Sequence, residues 1–177
     1  MLLTVLLVFT GNGKGKTTSA IGQAIRVLGS GGKVFFIQFI KSSSFPAGED
    51  KILSSFSDNL TFIKGGRGFV GILNDSLPRS AHEKAALETL SLAEKALLSK
   101  KYSLLVLDEV NVALNLKLLS LSKVFNFLKK VPLETDVIFT GRNAPNELIS
   151  LADIAIEFKE LKHPYNSGVQ GEKGKEF

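Results

Sequence analysis

The chain has 177 residues, 44% of them hydrophobic and 22% charged. This is the size and balance of one globular domain, and it excludes a disordered chain, a collagen-like repeat and a large second substrate domain. Lys and Arg number 22 against 17 Asp and Glu, a formal net charge of +5, which suits an anionic ligand, nucleotide or nucleic acid, without choosing between them. The sequence has no Cys, which excludes disulfides, thiolate zinc, iron–sulfur clusters and Cys catalysis and agrees with a reducing cytoplasm. Its two histidines, His82 and His163, are too few for an all-protein histidine metal site.

In chain order, the opening run MLLTVLLVF lacks a basic n-region and a small-residue cleavage site and runs straight into a glycine-rich turn. It therefore reads as a buried strand over 3–9 and not as a secretory signal. A helix follows over 16–28, closed by Gly29, Gly31 and Gly32, then a strand over 33–40. Residues 41–50 are too polar for core and read as a loop. A strand over 60–64 leads into a second irregular stretch, 65–78, rich in glycine. The helix over 79–99 carries Ala85, Ala86, Leu90, Ala93, Leu97 and Leu98 at spacings of three and four, with His82 expected on the surface near its start. Then come a strand over 103–108, a helix over 121–130 stopped by Pro132, a strand over 135–140, a helix over 146–151 and a strand over 154–158.

These apolar runs are mostly continuous, as in strands covered on both faces, and they alternate with helices. The expected fold is α/β, a mostly parallel sheet of about six strands with helices on both faces. Residues 1–161 form one nucleotide-binding domain. Residues 162–177 hold three Gly and one Pro without periodicity and read as a C-terminal tail, expected to be mobile until ligand binds. No stretch approaches the roughly 18–20 apolar residues of a membrane span, so a cytoplasmic protein without a membrane partner is expected.

The strongest chemical signal is TGNGKGKTT at 10–18, between a strand and a helix. In a phosphate-binding loop the backbone amides of Gly11, Asn12, Gly13, Lys14, Gly15, Lys16, Thr17 and Thr18 converge on phosphate oxygens. There the Lys16 ammonium reaches the phosphates and the Thr17 hydroxyl reaches Mg²⁺. The strict pattern asks for Gly at position 10, where this chain has Thr10. A second element, Asp108 followed by Glu109, ends an apolar strand and supplies the acids that complete such a metal site. A third, TGRNAP at 140–145, lies past another strand. Because ligands of parallel sheets bind at the carboxyl ends of strands, Thr140, Arg142 and Asn143 are expected over the same edge as Lys16 and Asp108. Arg142 is one of four Arg in a Lys-rich chain, a choice that favours bidentate phosphate contact. Asn111 is a weaker candidate on that rim. Phe69, in the glycine-rich stretch, either anchors its loop or meets an apolar ligand, and His163 reads as a hydrogen-bonding group of the tail.

GNGKGKTT, QFIK at 38–41, LDEVNVAL at 107–114, TGRNAP and the KHPYNSG of the tail, taken in order, resemble the P-loop ATP:corrinoid adenosyltransferases of cobalamin synthesis and salvage, the CobA/BtuR type. The resemblance runs from about Leu6 through the tail. It implies a P-loop NTPase (RecA-like) fold, ATP with Mg²⁺ or Mn²⁺, and transfer of the 5′-deoxyadenosyl group to the cobalt(I) of a reduced corrinoid. It also implies a homodimer and a reductase or flavodoxin that supplies the reduced metal. By resemblance, residues 11–18 match the triphosphate loop, Asp108 and Glu109 the metal-side acids with Thr17, Arg142 and Asn143 the motif near the nucleotide, and Gly68 and Phe69 the loop that faces the corrinoid. Lys16 and Arg142 would stabilise the leaving triphosphate.

Three features depart from the family pattern. Gly71 stands where a Trp is usual, and Gly171 and Glu172 where an Ala–Gln pair is usual. Many members also carry an extension before the first strand, and the cover it supplies is expected to be missing here. Other readings share the same motifs: a P-loop ATPase or small-molecule kinase with Glu109 as base, a nucleic-acid-binding module, and a carrier without activity. The diffuse charge and the lack of a basic stripe interleaved with aromatics disfavour a nucleic-acid partner.

Overall fold

In the computed structural model the described residues are 4–44, 46–56, 58–68, 70–72 and 75–162. Phe69, His163 and all of the tail beyond Lys162 lie outside them. Twelve elements follow one another along the described chain. They are β1 (Leu6–Thr10), α1 (Lys16–Gly29), β2 (Val34–Gln38), α2 (Gly48–Ser55), β3 (Leu60–Lys64), α3 (Arg79–Leu98), β4 (Leu104–Asp108), α4 (Val110–Asn115), α5 (Leu121–Leu128), β5 (Asp136–Thr140), α6 (Asn146–Leu151) and β6 (Ile154–Glu157).

The six strands form one sheet in the order β3-β2-β4-β5-β1-β6, and every pairing is parallel. The alternation of strand side chains explains the two cores. Leu6, Val8, Phe35, Ile37, Leu105, Leu107, Val137 and Phe139 face α3, α4, α5 and α6. Leu7, Phe9, Val34, Phe36, Leu104, Val106 and Ile138 face α1 and α2 through Ala20, Ala24 and Leu53. With both faces covered, the inner strands β1, β2, β4 and β5 must be apolar on both sides, which is why their runs read as continuous. Fully burying one such Phe or Leu contributes about 1.5–3 kcal/mol.

Two elements lie where no helix was expected. Residues 41–50 were expected to be loop, but Gly48, Glu49 and Asp50 form the first turn of α2. That helix is started by the Asp50 carboxylate, which accepts the Ala47 amide at 2.9 Å, and it is held by Leu53, which is buried. The other is α4, one and a half turns immediately after the Asp108–Glu109 pair, with Val110, Asn111, Ala113 and Leu114 buried. Among the described residues no helix is long and apolar enough to cross a membrane.

Parallel pairing brings all six carboxyl ends to one edge: Gln38 stands level with both Lys64 and Asp108, and Thr10 with Glu157. The segment leaving β3 stays on that edge because Gly65 and Gly68 donate their amides to the carbonyls of Gln38 and Ile40, at 2.9 and 3.0 Å. Between them, Gly66 passes so close to β2 that a Cβ there would lie 2.3 Å from the Ile40 carbonyl oxygen. Gly66→Ala is therefore expected to destabilise the fold by about 1–3 kcal/mol, the usual cost of overpacking. Urea denaturation measures it, and an unchanged midpoint would show that this loop root is free to move.

Candidate active site

Residues 11–15 leave β1 and turn back over its end, and α1 begins at Lys16. The loop is backed by the chain that leaves β6. Gly13 donates its amide to the Phe158 carbonyl at 2.7 Å, Phe158 donates its own amide to Thr10 at 2.8 Å, and the Phe158 ring packs edge-on against Phe9. Lys16 is buried, and its Nζ donates to the carbonyls of Gly11 and Gly13 at 2.8 and 2.7 Å. The ammonium thus sits in the bowl of the loop. Burial pulls the Lys16 pKa below its ordinary value and Arg142 adds to that, while Glu109 and Asp108 oppose it.

The sheet edge next to the loop converges on one carboxylate. Asp108, fully buried at the end of β4, accepts Thr17 Oγ1 at 2.9 Å and Thr140 Oγ1 at 2.6 Å on Oδ1, and Gln38 Nε2 at 2.9 Å on Oδ2. Thr140 Oγ1 also receives the Glu109 amide at 3.0 Å. Asn111, on α4, donates to the Gly141 carbonyl at 3.3 Å and thereby ties α4 to the start of the Arg142–Asn143 turn. Thr10, the departure from the strict loop pattern, has a task of its own: its hydroxyl accepts the Ala144 amide at 3.0 Å, locking the TGRNAP segment to the phosphate-binding loop.

The structure brings together Lys16, Thr17, Asp108, Glu109 and Thr140 as expected, and it places Arg142 and Asn143, both exposed, on the same edge. Asn12, Lys14 and Thr18 are exposed around the loop. Two residues stand closer to the site than their motif alone suggested. Gln38 is fully buried and orients Asp108. Lys41 donates to Glu49 at 3.1 Å; burial draws its pKa down, but Asp108, Glu49 and Glu109 outweigh this and leave it raised. The signal in the sequence was a polar residue ending an otherwise apolar strand, and a Lys three residues on. His82 corrects an expectation. It is buried, 3% exposed, and Asp75 turns back from the preceding loop to meet its ring.

The oxygen donors fit a hard divalent cation. Thr17 Oγ1 and Asp108 Oδ1 are adjacent, and two buried acceptors beside them, Gln38 Oε1 and Asn111 Oδ1, find no hydrogen-bond partner among the described residues. Among those residues no three His, Asp or Glu side chains are grouped so as to hold a metal ion by themselves.

The family described as ATP:corrinoid adenosyltransferase BtuR/CobO/CobP matches residues 3–177. The chain belongs to this family. Relatives include a corrinoid adenosyltransferase of Pseudomonas aeruginosa, 36% identical over 98% of this chain and 83% of the relative. Corrinoid adenosyltransferases of Sinorhizobium and Escherichia coli are each 34% identical over 98% of this chain and cover 80% and 85% of those proteins. The flagellar accessory protein FlaH of Methanocaldococcus jannaschii shares the fold, with a TM-score of 0.54 at 11% identity over 89% of this chain and 72% of that one.

Glu109 carries a pH dependence. Burial, then the neighbouring Asp108, push its carboxyl up from 4.5 to about 7 against the pull of Lys16, Lys41 and Arg142. A carboxyl with a raised folded pKa stabilises the fold at low pH, and that contribution is lost as pH rises through the folded value. Glu109→Gln cannot ionise. Without nucleotide or cation it is expected to match the parent Tm near pH 4 and exceed it by on the order of 5 °C near pH 8.5. Scanning calorimetry at both pH values checks this, and an equal difference at both would overturn it.

Proposed function

We propose that this chain performs its family's reaction, transferring the 5′-deoxyadenosyl group of ATP to the cobalt(I) of a corrinoid and releasing inorganic triphosphate. The observation that carries the reading is the Thr17–Asp108–Thr140 network standing beside Lys16 at one sheet edge, in a chain that matches the family over residues 3–177. The triphosphate is held by the amides of 11–18, with Asn143 and Arg142 closing the nucleotide side.

The cobalt(I) lone pair attacks the ribose C5′. The bond from C5′ to the α-phosphate's bridging oxygen breaks with its electron pair staying on oxygen, and cobalt is left carrying the alkyl group. Cobalt(I) is a strong nucleophile in its own right, so the protein needs no base to activate it. The protein's task is to stabilise the charge growing on the departing triphosphate. Lys16 swings from the carbonyls of Gly11 and Gly13 onto the phosphates, and Arg142 lies close enough to act with it. A divalent cation, Mg²⁺ or Mn²⁺, would be held by Thr17 and Asp108 with Glu109 beside them, and it supplies further charge neutralisation to the phosphates. The loop over 65–78, which includes Phe69, borders the corrinoid. A homodimer in the cytoplasm, served by a reductase or flavodoxin, completes the proposal.

Anaerobic turnover with ATP, Mg²⁺ and chemically reduced cobalamin tests the reading. Adenosylated corrinoid and inorganic triphosphate are expected in one-to-one ratio. Corrinoid-independent ADP release with no change in the corrinoid spectrum would instead favour phosphoryl transfer, with Glu109 as base. Lys16→Ala is expected to lower kcat by about 10²–10³ with the fold intact, the usual effect of removing one preorganised electrostatic contact. Activity within about threefold of the parent would reject Lys16 as the phosphate ligand.

A further inference from the structure

The five residues between β1 and α1 are moulded on the chain that leaves β6. Three of them are glycines, and all three are set against residues 157–159. A Cβ at Gly11 would lie 2.9 Å from the Phe158 amide nitrogen, one at Gly13 2.7 Å from the Lys159 carbonyl carbon, and one at Gly15 3.2 Å from the Phe158 ring. Gly11 and Gly15 also stand at positive φ, but Gly13 does not. At Gly13 it is therefore the closeness of this segment, and not the backbone conformation, that requires glycine. Asn12 and Lys14, between the glycines, are exposed.

The segment itself is anchored by one side chain. β6 is an edge strand, paired with β1 alone, and Ile154, Ala155, Ile156 and Glu157 are all exposed. From residue 153 to residue 162 only Phe158 is not. Its ring meets Phe9 at a centroid distance of 5.9 Å and joins the core on the α1 face of the sheet. Its carbonyl holds the Gly13 amide, and its amide reaches the Thr10 carbonyl. Gly11 and Gly13, set in place by this segment, carry the two carbonyls that accept Lys16 Nζ. One aromatic side chain thus governs both the shape of the loop and the seat of its ammonium.

A glycine-rich loop without such a support has many conformations, and the entropy of ordering it is drawn from the binding free energy of whatever ligand orders it. We propose that Phe158 is a positioning residue for the triphosphate: its ring holds residues 11–15 in the receptive shape before ligand arrives, and so sets the affinity for ATP and for inorganic triphosphate alike. The inference rests on the loop as a phosphate receptor and is independent of the group transferred.

Isothermal titration calorimetry of the full chain in Mg²⁺, with ATP and inorganic triphosphate titrated in turn, is the test. Phe158→Ala is expected to raise both Kd values by about tenfold, and Phe158→Leu, which keeps apolar bulk, by about threefold. Val124→Ala is the control for lost stability, because Val124 is fully buried in the core on the opposite face of the sheet. That variant is expected to lower Tm with both Kd values within about twofold of the parent. Amide exchange at residues 11–14 of the unliganded protein is expected to quicken in Phe158→Ala and not in Val124→Ala. Unchanged Kd values in the Phe158 variants, or an equal rise in Val124→Ala, overturn the proposal. Should Phe158→Ala fail to fold, Phe158→Leu decides. A parent that binds neither ligand overturns the loop as a phosphate receptor, and this inference with it, whereas a parent that binds both but forms no adenosylated corrinoid overturns the adenosyltransferase reading alone.

Discussion

The Asp108 carboxylate is the constraint around which the edge of the sheet is arranged. A buried carboxylate without partners costs several kcal/mol, and Asp108 finds three side-chain donors on three different elements: Thr17 on α1, Thr140 on β5 and Gln38 on β2. Satisfying the carboxylate therefore requires the nucleotide-side helix and the strands on both sides of β4 to be in register. The next residue is treated in the opposite way. Glu109 sits in a left-handed backbone conformation at the start of α4 and shares the buried space with Asp108, which leaves its carboxyl crowded. Two adjacent acids of similar chemistry are thus given a settled and an unsettled environment, and it is the unsettled one that an incoming cation would relieve.

Much of this was legible because a parallel sheet converts strand ends into a site. Once strands were read at 103–108 and 135–140, the ends Asp108 and Thr140 had to share an edge with the loop after the first strand, and they lie within hydrogen-bond distance. The strand Leu60–Lys64 and the helix Asn146–Leu151 have the bounds their patterns indicated. The others shifted by one to three residues at their ends, where backbone pairing and not side-chain type decides the limit.

What escaped the sequence depends on contacts between distant residues. α2 offers little apolar pattern of its own and is held by Leu53 against the sheet, while its acids pair with Lys41 and Lys64 at the ends of β2 and β3. α4 is short and contains β-branched residues, so intrinsic propensity says little for it; its buried face and the Asn111 bond to Gly141 keep it in place. His82 looked like a surface residue because the start of a helix after a polar loop is generally wet. Asp75 returns across seven residues to meet its ring, and no periodicity announces a turn of that kind.

The position of β6 has a consequence for how the protein is made. β1 enters the sheet between β5 and β6, and the loop that follows it gains its backing from Phe158, whose carbonyl receives the Gly13 amide. Along the chain the glycine-rich loop and the residue that backs it stand some hundred and forty positions apart. The loop therefore gains this backing only when β6 has paired with β1. The shape of the phosphate-binding loop is thus coupled to a parallel pairing between distant parts of the chain, the kind of contact that closes slowly in folding.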